Sequence, residues 1–259
     1  MDQNISSRDG TTLAYESAGR GATIVLVSGA MSTGATVAPL AAPLSERFRV
    51  VVYDRRGRGA SGDTPPYSVE REVEDLAALI EATGGEAGLY GVSSGGALAL
   101  RAAASGLPVR QVAVYETPYA MSEEHLAERA RYTERLTAAL EEGRRGDAVE
   151  LFLQLTGLDD AVIRSARQSP MWAGMEALAP SLAYDDAVMG DGSVPRKMLA
   201  KIEAPVLSIA GDASPVWMRQ AAKAIAESVP RGTYRTLEGQ THMAEPDVLA
   251  PVLAEFFSR

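Results

Sequence analysis

The chain has no cysteine, which excludes disulfides, thiolate metal sites and a cysteine nucleophile. Its only histidines are His125 and His242, too few for a histidine-built metal centre. No metal or organic cofactor is implied. Long apolar runs are missing too: the longest have strand length, far short of the ~20 residues of a membrane span. The first residues, Met1-Asp2-Gln3-Asn4, are polar, with no basic cluster leading into an apolar run. Nothing reads as a targeting segment, and the expectation is a cytoplasmic protein with no membrane partner. Positive charge is the scarcer sign, 25 Lys and Arg against 34 Asp and Glu, for a net −9. Without a Lys/Arg stripe, that balance repels phosphate backbones and argues against nucleic acid. What remains is 259 residues, 46% hydrophobic and 23% charged, an ordinary globular composition with enough chain for one sizeable core.

Short apolar runs alternate with helical segments, the pattern of a mostly parallel sheet with helices on both faces. Asn4–Ser7 and Thr11–Ser17 flank Asp9-Gly10 and read as an opening hairpin. Ile24–Val27, Val50–Tyr53, Ala87–Tyr90, Val112–Tyr115 and, but for Ser208, Val206–Ile209 are apolar throughout, as strands buried on both faces should be; Tyr234–Leu237 is a weaker last example. Helices are expected at about Val69–Thr83, Ser94–Ala104, Pro215–Val229 and Val248–Phe257, the last capped by Asp247. From Thr117 to Glu203 the alternation stops, and only helix-type spacing remains. Ser122 starts one helix there and Asp147 a second. An insertion at 117–203 within a single domain spanning 1–259 is expected to fold over the C-terminal strand ends, where α/β sheets bind ligands.

Gly91-Val92-Ser93-Ser94-Gly95 spells G-x-S-x-G directly between a strand and a helix. Small residues are needed there because the turn is sharp and leaves no room beside the nucleophile. Ser93 would present its hydroxyl at a helix N-terminus, with the N–H of Ser94 available to an oxyanion. The bland alternative is a glycine-rich turn. A serine needs a general base, and His242 follows the last strand, on a loop at the same sheet edge as Ser93. His125, beside two glutamates, reads as a solvated helix residue. Gly57-Arg58-Gly59-Ala60-Ser61-Gly62 matches G-x-G-x-x-G, but it runs into Asp63-Thr64-Pro65-Pro66 rather than opening a helix, so it is no dinucleotide loop. Met121, Met171, Trp172, Met175 and Met189 suit either helix packing or an adaptable apolar pocket.

Taken in order, Asp9-Gly10-Thr11-Thr12-Leu13-Ala14-Tyr15, the glycine loop after Val27, Asp54-Arg55-Arg56-Gly57-Arg58-Gly59-Ala60-Ser61, the Ser93 turn and Gly239…His242 resemble the α/β-hydrolase fold. They resemble in particular its serine esterase, lactonase and cofactor-free haloperoxidase group. The resemblance covers nearly all the chain except Thr117–Glu203, which corresponds to a variable helical cap inserted before the penultimate strand. It implies a structural role for the Asp54 segment and an oxyanion hole from the backbone N–H groups of Ala30 and Ser94. Outside the resemblance, Met31 and Trp172 are candidate substrate contacts on their residue type alone. Two departures stand out. Ser28-Gly29-Ala30 replaces a common His-Gly, and Ser214 stands where the family often has its catalytic Asp. Asp212 and Glu116 both have the right chain order for the acid. Glu116, at the end of Val112–Tyr115, matches relatives whose acid comes one strand earlier. The expectation is a serine hydrolase of small or medium apolar esters, lactones or thioesters, working through Ser93, His242 and Glu116. A ligand-binding receptor on the same scaffold, or a cyclase or acyltransferase using the same serine, are the alternatives, as fold does not fix function.

Overall fold

Strands that are apolar on both faces need helices on both sides. In the computed structural model, which describes residues 3–259, the chain builds that arrangement; Met1 and Asp2 of the polar opening lie outside the described residues. The strands β1 (Gln3–Ser6), β2 (Thr12–Ala18), β3 (Thr23–Val27), β4 (Arg49–Tyr53), β5 (Ala87–Val92), β6 (Val109–Tyr115), β7 (Val206–Gly211) and β8 (Gly232–Leu237) form one sheet, in the order β1-β2-β4-β3-β5-β6-β7-β8. β1 and β2 make an antiparallel hairpin in which Ile5 faces Leu13, and β2 runs antiparallel to β4. The remaining pairs are parallel.

The helices in chain order are α1 (Ala41–Ser45), α2 (Val69–Ala82), α3 (Ser94–Ala104), α4 (Glu123–Glu141), α5 (Arg145–Leu155), α6 (Asp160–Arg167), α7 (Trp172–Leu178), α8 (Leu182–Met189), α9 (Arg196–Leu199), α10 (Val216–Ser228) and α11 (Pro246–Phe257). The period of two along each strand divides the core. Val25, Val27, Leu89, Val112 and Val114 face one side, with α2, α3 and α10. Ile24, Leu26, Tyr90, Ala113 and Tyr115 face the other, with α1 and α11. On α2, Leu76, Leu79 and Ile80 are buried, the i, i+3, i+4 stripe of a helix lying on a sheet. Burying three such side chains contributes on the order of 5 kcal/mol.

Two helix starts differ from the sequence expectation. Pro246 occupies the first position of α11 and the N-cap is Glu245, so Asp247 sits in the first turn; proline fits that position because its missing N–H would find no intrahelical partner. α5 opens at Arg145, which puts Asp147 in its first turn, where its carboxylate pairs with Arg144 at 2.7 Å.

Between β6 and β7 the chain is helical from α4 to α9. Tyr132, Leu136, Val149, Ile163, Trp172 and Leu182 give this insertion a core of its own. α8 returns toward the sheet, adding Val188 and Met189 to the main core. Among the described residues, no helix is long and apolar enough to cross a membrane.

Candidate active site

Ser93 links β5 to α3 with φ 56° and ψ −128°, a conformation that costs a non-glycine residue about 1–3 kcal/mol. Its N–H donates to the Tyr115 carbonyl at 2.9 Å, and its own carbonyl accepts from Gly96 N–H at 2.9 Å. The flanking glycines are forced by close approach. A β-carbon on Gly91 would lie 2.4 Å from the Gly95 carbonyl oxygen, and one on Gly95 would lie 2.4 Å from that of Val27. The G-x-S-x-G spacing is therefore steric: the turn fits only if backbone packs on backbone.

Glu116 follows β6 immediately. It has φ 48° and no exposed surface. Its N–H donates to the Ile209 carbonyl at 3.0 Å, and its Oε1 accepts from Gly211 N–H at 2.8 Å. The other oxygen, Oε2, lies 2.9 Å from Nδ1 of His242. An ionised carboxylate only accepts, so this contact calls for the ring proton on Nδ1, which in a neutral imidazole leaves the lone pair on Nε2. The His242 side chain is 42% exposed. Its loop is tied down from several sides. Tyr115 donates its hydroxyl to the Thr241 carbonyl, and the Gln240 side chain accepts from Glu245 N–H at 2.7 Å.

Asp212, the other candidate acid, accepts from Gly239 N–H at 2.7 Å. It anchors the histidine loop rather than the histidine. Ser214 is buried, and its hydroxyl has no hydrogen-bond partner among the described residues. The structure thus brings Glu116 and His242 into contact. No hydrogen bond joins Ser93 Oγ to His242 among the described residues; such bonds are often long before substrate binds and tighten in the complex.

The segment 28–31 passes directly over Ser93: a β-carbon on Gly29 would lie 3.0 Å from Ser93 Cβ and 3.6 Å from its Oγ. Ala30 and Met31, the latter at φ 51°, pack against the core of the insertion. Trp172 is buried in that same core, with the Arg167 guanidinium 5.8 Å from its ring centre. Of the methionines, Met171 is largely exposed and Met189 belongs to the main core, while Met121 and Met175 are partly buried at the edges of the two clusters.

His125 is not simply solvated, since its ring sits edge-on to Trp217 at 5.3 Å; the two lie in the first turns of α4 and α10. The G-x-G-x-x-G segment is a turn stitched by Asp54, whose Oδ1 accepts from Gly34 N–H at 2.8 Å and Oδ2 from Ala60 N–H at 2.9 Å. Arg55, Arg56 and Arg58 of that turn are almost wholly buried. Among the described residues, no group of three or more His, Asp or Glu side chains is arranged to hold a metal ion. Three partners escaped the sequence reading: the Gly211 N–H, the Tyr115 hydroxyl, and Asp185 of α8, whose Oδ1 accepts from Ser94 Oγ at 2.7 Å. A backbone donor leaves no mark in a sequence, and Asp185 is one acid among 34, in a segment marked only by helical spacing.

Residues 24–252 match the model of the alpha/beta hydrolase family. The chain is similar to the crystal structure of an alpha/beta hydrolase from Sphaerobacter thermophilus, with 51% identity and a TM-score of 0.89 over 98% of this chain and 100% of that one. It is also similar to a hydrolase from Pseudomonas aeruginosa, with 25% identity and a TM-score of 0.78 over 99% and 98% of the two chains. A stretch of 87 residues is 37% identical to part of the polyketide synthase ThaQ of Burkholderia thailandensis, covering 33% of this chain and 4% of that protein. Across the first curated relatives, the match spans only 4% to 29% of their length.

Proposed function

The chain belongs to the alpha/beta hydrolase family of hydrolytic enzymes, and from that premise we propose that it cleaves acyl bonds through a Ser93 acyl-enzyme. The observation that carries the reading is the doubly held carboxylate of Glu116, with Gly211 N–H on one oxygen and His242 Nδ1 on the other. With Nδ1 taken, Nε2 is the nitrogen left to receive the serine proton as Oγ attacks an acyl carbon. Glu116 then stabilises the imidazolium. His242 returns the proton to the leaving group, and water, activated by the same histidine, releases the acid. The backbone N–H groups of Ala30 and Ser94 bind the oxyanion, at the positive end of α3.

A serine at the turn favours attack on carbonyl carbon over displacement at an alkyl carbon, where relatives use a carboxylate nucleophile. The substrate class we assign is a small or medium apolar ester, lactone or thioester, with Met31 and Trp172 bounding the acyl side and the insertion 117–203 acting as the cap of a single domain. No metal or organic cofactor enters this chemistry. The test is labelling with a fluorophosphonate, read by intact mass on the wild type and Ser93→Ala. One adduct on the wild type and none on the variant supports the reading. An unlabelled wild type would favour a receptor-like protein with little turnover, and labelling that persists in Ser93→Ala would move the nucleophile elsewhere.

A further inference from the structure

The two backbone donors assigned to the oxyanion hole lie on separate segments, and one buried carboxylate from the insertion bonds the side chain of one residue and the arginines that reach the segment of the other. Asp185 is 5% exposed. Its Oδ1 accepts from Ser94 Oγ at 2.7 Å, Arg55 Nη1 at 2.7 Å and Arg58 Nη2 at 2.8 Å. The same guanidiniums reach the other segment: Arg58 Nη1 donates to the Gly29 carbonyl at 2.6 Å, and Arg55 Nη1 to the Ser28 carbonyl at 3.2 Å. The Gly29 carbonyl and the Ala30 N–H belong to one planar trans peptide, with oxygen and hydrogen on opposite sides. Fixing the oxygen therefore aims the N–H. Arg55 is held in turn by Glu72, with both nitrogen–oxygen distances 2.7 Å. Glu72 accepts from Tyr67 Oη at 2.8 Å, and the Tyr67 ring stacks on Tyr184, next to Asp185, at 3.8 Å. Two guanidiniums thus meet two carboxylates out of water, and removing one member would leave a buried charge unpaired.

We propose that Asp185 is a positioning residue for the oxyanion hole. Through Ser94 it sets the donor that opens α3, and through Arg58 and Arg55 it orients the Ala30 donor, so that the hole is complete only with α8 of the insertion docked. This proposal rests on the acyl-enzyme reading above. It also gives a function to the serine that follows the nucleophile, whose side chain the backbone donor itself does not need. The acid that does this comes from the insertion rather than from the sheet, 91 residues along the chain from Ser94.

The test compares para-nitrophenyl acetate with the corresponding thionoacetate, in which sulfur replaces the carbonyl oxygen and fits oxygen-tuned donors poorly. The enzymes are wild type, Ser94→Ala, Asp185→Asn and Ser94→Thr, with Asp186→Asn as a control. Asp186 is on the same helix but pairs with Arg129 of α4 at 2.9 Å. Ser94→Ala leaves every buried charge in place, so it stays informative even if Asp185→Asn folds poorly. A whole oxyanion donor is worth 10²–10³ in kcat; a donor kept but loosened should cost about tenfold in kcat on the oxoester with KM within about twofold. The preference for oxoester over thionoester should shrink by a similar factor in Ser94→Ala and Asp185→Asn, recover in Ser94→Thr and stay at the wild-type value in Asp186→Asn. Wild-type preference in both Ser94→Ala and Asp185→Asn overturns the proposal, and so does an equal loss in Asp186→Asn, which would make the network merely structural. A wild type that takes up no fluorophosphonate on Ser93 overturns the underlying acyl-enzyme reading instead.

Discussion

Replacing Glu116 with Gln changes a single atom, and its consequence can be worked from the two bonds the carboxylate makes. One oxygen accepts from Gly211 N–H at 2.8 Å and the other faces His242 Nδ1 at 2.9 Å. A glutamine can satisfy only one of these in the native sense. If its NH2 faced Gly211, two donors would oppose each other in a site with no exposed surface, at a cost of about 1–3 kcal/mol for the unsatisfied group. The cheaper arrangement keeps the carbonyl on Gly211 and turns the NH2 toward His242. Nδ1 must then accept, the ring proton moves to Nε2, and the nitrogen meant for the serine proton is already occupied. The fold is preserved and the base is disabled. A tautomer error of this kind costs roughly 10⁴-fold in turnover. The assay is kcat on para-nitrophenyl acetate beside the melting temperature, with Asp212→Asn in parallel. Glu116→Gln should lose at least a thousandfold on the basis of that ~10⁴ ceiling while melting near wild type. Asp212→Asn, whose side-chain oxygen accepts from the Gly239 N–H, should stay within a few-fold. Near-normal turnover in Glu116→Gln refutes the reasoning, and the reverse pattern would transfer the role to Asp212.

Other outcomes follow from the same contacts. Ser93→Gly should melt above Ser93→Ala, because relief of about 1–3 kcal/mol of strain at φ 56° exceeds the ~0.4–1 kcal/mol entropic penalty of glycine; the opposite order, by calorimetry, would mean that the turn is not strained. Trp172→Ala should lower the urea midpoint by the equivalent of about 3–5 kcal/mol, since Trp172 is buried in the insertion core on which Ala30 and Met31 rest, and an unchanged midpoint would place it outside that core. Acid should weaken the fold through the Arg55 network. Burial pushes the Asp185 and Glu72 carboxyls up, but Arg58 and Arg55 beside Asp185, and Arg55 beside Glu72, outweigh it and hold them below the ordinary 3.8 and 4.5. A depressed carboxyl contributes stability that is complete above the unfolded value and is lost as pH falls through the folded one. The urea midpoint should therefore fall progressively as pH drops below about 5, and fall less in Asp185→Asn, which lacks one of the titrating groups.

Most of the sheet was legible because β3, β5, β7 and the second half of β6 are buried on both faces, and such strands announce themselves as largely apolar runs. The Ser93 turn was equally open to reading, since its glycines answer to a local steric demand. Glu116 was reachable through chain order and strand position, though not through anything in its neighbours. Its left-handed backbone and its bond to Gly211 arise only when β6 and β7 lie side by side. Asp185 was beyond reach for the same reason. Its partners, Arg55, Arg58 and Ser94, stand 130, 127 and 91 residues away along the chain, and no spacing rule spans such a distance. The two misplaced helix starts are of a lesser kind. Proline at the head of α11 and one extra residue pair ahead of Asp147 shifted the boundaries without changing the elements.

The central claim is a covalent acyl group on Ser93, and rapid acid quench after mixing with para-nitrophenyl acetate tests it most directly. The account predicts that intact mass rises by one acetyl group, that peptide mapping finds the group on the segment containing Ser93, and that Ser93→Ala gains none. An unmodified wild type under conditions where product is released, or an acetyl group mapped to any other residue, contradicts it.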